Sequence, residues 1–142
     1  MINDKKVIFS GIQPSSDSVT LGNYLGALKT IFEKCQQKGV EVVFMTPNML
    51  NTYVADDTAP VHKGYAEQTA HYQLSGKMDL FMSGAVNLAG KMGVKVCDCY
   101  TKWKKMQAGG VDTTELLANK LNHPIRELTG LFAYSLLETM LS

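Results

Sequence analysis

Three short apolar runs, each set apart from the next by a longer segment of helical periodicity, constrain this chain more than any other feature. Val7, Ile8 and Phe9 stand between Lys5-Lys6 and Gly11, and the run from Val40 to Met45 is introduced by Gly39 and ended near Pro47. A third run, Val94 to Cys97, follows Gly93. Short β-branched runs alternating with helical stretches are the pattern of strands joined by crossover helices into a parallel sheet. The expectation is an α/β fold: one three-layer α/β/α domain over residues 1–142 with a short parallel sheet of about three strands.

The first helix is expected over about residues 20–38, because Leu21, Leu25, Leu28 and Phe32 recur at spacings of four, three and four. Gly22 and Gly26 lie inside it and cost helix stability, so they are read as permitting close backbone contact. Thr58 is expected to cap a second helical segment with Pro60 near its first turn. Gly76 divides that segment before it resumes over 79–92. Asp112, Thr113, Thr114 and Glu115 read as a capping box opening a short helix, and the last helix is expected to start near Pro124.

The charge balance narrows the function classes. Fourteen Lys plus Arg stand against thirteen Asp plus Glu over 142 residues, and Arg126 is the only arginine. No net field draws in nucleic acid, so neither tRNA nor DNA is expected as a partner. No apolar stretch approaches the roughly 18 residues that span a bilayer, and the first residues do not read as a signal peptide. An odd set of three cysteines points to a reducing, cytoplasmic location. Three strands leave two open sheet edges and spare apolar helix surface, so a homodimer is expected.

The segment KKVIFSGIQPS (5–15), followed by TLGNYLGALK (20–29), resembles the N-terminal ATP-binding segment of bacterial tryptophanyl-tRNA synthetases. The resemblance covers about residues 5–34, within a β-α unit assigned to 1–34. It implies a Rossmann-type first strand leading into a helix that carries a "HIGH"-type signature, here Thr20, Leu21, Gly22 and Asn23. Gln13, Thr20, Gly22 and Asn23 would then face the nucleotide, with a glycine-bearing helix start offering free N–H groups to phosphate. The family usually has glycine where this chain has Ser16, and no KMSKS-like loop follows.

From about residue 35 to 142 the chain resembles the C-terminal half of bacterial SGNH/GDSL-type esterases, on GVEVVFMTPNMLN (39–51), GVKVCDCYTKW (93–103) and NKLNHP (119–124). That resemblance implies a flavodoxin-like domain with His123 at the position of the catalytic base. Lys120 stands where the family has aspartate, Asn119 and Asn122 are nearby, and Asp112 is the closest upstream carboxylate. The nucleophile and oxyanion blocks are missing. Ser10, Ser15 and Ser16 lie where a replacement nucleophile would have to stand. The two resemblances meet near residues 31–39, which makes the fold a flavodoxin-like/Rossmann-like hybrid.

Other groups read as structural. Cys97 and Cys99 place two sulfurs on one face of a strand end, but no second cysteine pair completes a zinc site, and no metal is expected. Asp56 and Asp57 read as helix-capping carboxylates, His62 and His71 as helix-surface residues, and Lys102 to Lys105 as a solvated loop with a packed Trp103. The leading expectation is a chimeric α/β scaffold with no complete catalytic function and no cofactor. The alternatives are weak ATP binding through the N-terminal motif and residual ester hydrolysis through His123.

Overall fold

A computed structural model describes residues 19–142 and the backbone of residues 6–10. The elements run β1 (Lys6–Ser10), α1 (Leu21–Gln37), β2 (Glu41–Met45), α2 (Lys63–Leu74), α3 (Lys77–Lys91), β3 (Lys95–Cys97), α4 (Cys99–Ala108) and α5 (Thr129–Leu141). Single 3-10 turns precede α2 and α5. The strands form one three-stranded sheet in the order β1-β2-β3, every pairing parallel, with Ser10 opposite Met45 and Met45 opposite Cys97. This order, with β2 in the middle, is that of one half of a Rossmann sheet; a flavodoxin-like order would put β1 there.

Successive residues of β2 face opposite sides, and each side has its own core. Val42 and Phe44 pack with Leu28 and Phe32 of α1 and Met82, Ala85 and Ala89 of α3. Val43 packs instead with Cys97, Cys99 and the Phe132, Leu136 and Met140 side chains of α5. Helices therefore cover both faces, and the three-layer α/β arrangement holds. The same device brings the chain back into the sheet twice. Gly39 after α1 and Gly93 after α3 sit at φ 67° and 68°, a left-handed turn that costs glycine little.

Several local expectations are corrected. Thr58 is no helix cap: it is buried, its hydroxyl has no partner among the described residues, and Pro60 opens a 3-10 turn that precedes α2. Asp112 does accept from the N–H groups of Thr114 and Glu115, but the chain forms turns there and no helix follows. Asp57 pairs with Lys120 at 3.6 Å instead of capping a helix. The segment read as a basic loop is helix α4, capped by Asp98, with Trp103 fully buried. Apolar residues at 99, 100, 103 and 106 carry the helical spacing that identifies it. The last helix begins at Thr129, so His123 and Pro124 lie ahead of it in an irregular segment.

Candidate functional site

Chemistry-bearing groups gather at the carboxyl ends of the strands, where parallel sheets ordinarily hold ligands. The amino end of α1 is one part of this rim. Thr20 keeps an extended backbone (φ −80°, ψ 153°), and its hydroxyl accepts from the N–H of Asn23 at 3.1 Å. No acidic residue lies in the first turn of this 17-residue helix, so no carboxylate of that turn offsets its positive end. Gly22 and Asn23 are exposed. A Cβ built on Gly22 or on Gly26 meets nothing within 4 Å, which corrects the expectation that these glycines admit a close neighbour within the described fold. Gln13, Ser15 and Ser16 lie outside the described residues. Ser10 is described by its backbone alone, as the last residue of β1 opposite Met45.

A second cluster surrounds His123. The segment closes on itself through Leu117 and Pro124, with the Ala118 N–H donating to the His123 carbonyl at 2.7 Å. Lys120 sits at its tip with φ 56°. His123 Nδ1 lies 2.5 Å from Asn122 Oδ1 and 3.0 Å from Asn119 Nδ2. The ring is thus oriented by amides, where a triad base is oriented by a carboxylate. His123 is exposed, and its hydrogen-bond partners among the described residues all lie in its own loop. No serine, threonine or cysteine among the described residues hydrogen-bonds to it. Asn48, beyond β2, donates to the Asn122 carbonyl at 3.0 Å and ties this loop to the sheet.

A third group of polar residues, which no local sequence pattern marks, forms a network at the start of α4. Asp98 caps α4 by accepting from the Thr101 N–H at 3.1 Å and takes the Thr46 hydroxyl at 2.9 Å. Thr46 in turn accepts from the Tyr100 N–H. The Tyr100 hydroxyl donates to Asp79 at 2.7 Å and accepts from the Gln73 amide at 2.6 Å. Burial pushes the Tyr100 phenol above its ordinary range, and the Asp79 carboxylate adds to the shift. Asp79 also pairs with Lys104 at 3.2 Å. The network borders a cleft of about 310 Å³ floored by Met82 and Val86. Its members lie far apart in sequence, so no local pattern announces them.

Cys97 closes β3 and Cys99 opens α4; their sulfurs stand 3.8 Å apart in the buried core. Burial, then the neighbouring Cys97, pushes the Cys99 thiol up to about 12. Cys35 is half-buried on α1, away from this pair. No group of three His, Cys, Asp or Glu capable of holding a metal occurs among the described residues.

A parallel β-α-β sheet with an open, glycine-bearing helix start at its carboxyl rim defines the class as a small Rossmann-type α/β domain. Parts of its sequence are similar to tryptophan–tRNA ligases. The ligase of Tropheryma whipplei is 50% identical over 48 residues, 34% of this chain and 14% of that protein. That of Bacillus anthracis is 36% identical over 91 residues, 61% of this chain and 27% of that protein. The Clostridium perfringens ligase is 69% identical over 29 residues, 20% of this chain. The chain thus spans about a quarter or less of the length of these relatives. The Bacillus match takes in more of the chain than residues 1–34 can supply. No family profile matches. No described helix is long and apolar enough to cross a membrane.

Proposed function

We propose that this chain is a nucleotide-binding α/β domain that holds ATP at the amino end of α1 without carrying a chemical step. One observation carries the reading: Gly22 is exposed, in the first turn of a helix, with no described atom within 4 Å of where its Cβ would be. Glycine at an open helical position costs about 1 kcal/mol relative to alanine, and no described neighbour compensates that cost. A bare backbone there lets a flat purine lie against the helix, while the Leu21 and Gly22 N–H groups, for which no described residue is an acceptor, face a phosphate. The partial similarity to tryptophan–tRNA ligases lends weak support to a nucleotide site, to which the proposal assigns Thr20, Gly22 and Asn23, with Gln13. Cytoplasmic ATP is the natural ligand pool for such a site.

The homodimer belongs to the same proposal. Tyr134, Leu137 and Leu141 on the outer face of α5 are 76%, 53% and 84% exposed, apolar surface that self-association would cover. Ester hydrolysis through His123 stays outside the reading, because no described hydroxyl or thiol meets the imidazole. Calorimetric titration of the chain with ATP and Mg²⁺ tests the proposal. A saturable heat in the micromolar-to-millimolar range supports it, and the absence of heat at millimolar ATP rejects it.

A further inference from the structure

The nucleotide reading makes no use of the sulfur atoms gathered beneath α5. Cys97 and Cys99 are 1% and 0% exposed, and their Sγ atoms are 3.8 Å apart. Two donors on one metal, each about 2.3 Å from it at a tetrahedral or trigonal angle, stand about 3.8–4.0 Å apart. The pair therefore has chelating geometry without backbone movement. Asp98, between them, is held on the other side of the corner by Thr46 and Thr101, which fixes both sulfurs toward the α5 core. The thioether-bearing Met45 and Met140 pack against the same small cluster.

Among the described residues no histidine or carboxylate joins these sulfurs to make a third hard or borderline ligand. A site of thiols and thioethers alone discriminates by softness, and thioethers are poor ligands for zinc but good ones for cuprous ion. We propose that Cys97 and Cys99 bind one soft monovalent d10 cation, the cuprous ion, with Met45 and Met140 completing its surroundings. Binding replaces one proton on each sulfur with a metal–sulfur bond, and the two protons leave to solvent. The metal enters as Cu(I) and remains Cu(I), so no oxidant or reductant takes part. Two thiolates and one cuprous ion leave one negative charge, and the ammonium of Lys102 stands beside it, held by Ser135 Oγ at 2.8 Å.

The test is anaerobic titration of the full chain with cuprous ion held by a chromophoric bicinchoninate chelator. The proposal expects one equivalent to be withdrawn from the chelator. Cys97→Ser and Cys99→Ser each weaken binding by at least about a hundredfold, Met140→Leu by about tenfold, and Cys35→Ser leaves it unchanged. X-ray absorption of the copper-loaded native chain, which needs no variant to fold, should show sulfur scatterers at about 2.3 Å. No withdrawal of copper, binding that survives both serine variants or depends on Cys35, or a shell of nitrogen and oxygen alone would overturn the proposal.

Discussion

Replacing Gly22 by alanine should move stability and ligand affinity in opposite directions. The position is exposed and a Cβ there meets no described atom within 4 Å, so the substitution adds no clash with the described fold and removes backbone freedom from the unfolded chain. The expected gain is about 0.5–1 kcal/mol, or a rise in Tm of about 2–3 °C for a domain of this size. Gly26 supplies the control, one turn along α1 on the same exposed surface and equally open. Gly26→Ala should give a similar thermal gain and leave ATP binding alone. Gly22→Ala should weaken ATP at least about tenfold, because the new methyl group stands where the purine would rest. Circular dichroism melts and calorimetric titrations on the native chain and both variants read the two quantities separately. Equal ATP affinity in all three proteins, or a loss of stability in Gly22→Ala alone, would refute the reasoning about that open helix turn.

Tyr100→Phe should cost about 1–3 kcal/mol in urea unfolding, since the buried Gln73 amide loses its hydroxyl partner. Trp103→Ala should cost about 3–5 kcal/mol, enough to unfold much of the chain near its growth temperature, because the indole is fully buried in the larger core. Tyr53 holds the Asp112 carboxyl below the usual carboxylate range through a 2.7 Å hydrogen bond. A depressed folded-state value means this contribution is present above about pH 4 and is lost as pH falls through the folded value. Urea midpoints of Tyr53→Phe should therefore lie below those of the native chain at pH 7 and converge with them near pH 2. Sedimentation of the native chain should show a dimer that Leu137→Glu, on the exposed face of α5, shifts toward monomer; a monomer throughout would end the homodimer reading.

How much of this was legible in the sequence follows from the range of the forces involved. The strands announced themselves because β-branched runs bounded by Gly39 and Gly93 are local signals, and α1 did so through its apolar spacing. Thr20 was also visible as the residue preceding that spacing. Helix α4 was hidden because three lysines obscured the Tyr100–Trp103–Met106 spacing that buries one face. Thr58 misled for a different reason: its proximity to Pro60 suits a cap, but tertiary packing buries it instead. The Thr46–Asp98 and Gln73–Tyr100–Asp79 contacts join residues 21 to 52 positions apart, so only the assembled sheet brings them together. His123 stood out in the sequence as a candidate base, but its described ring partners Asn119 and Asn122 come from its own loop, leaving it without a nucleophile among the described residues.

The most direct measurement is the amide ¹H–¹⁵N spectrum of the native chain as ATP is added. Saturable shifts concentrated at Thr20, Leu21, Gly22 and Asn23, with the Asn119–His123 loop unmoved, are what a nucleotide seated on the amino end of α1 predicts. An unchanged spectrum at millimolar ATP, or shifts that leave residues 20–23 untouched, would contradict it.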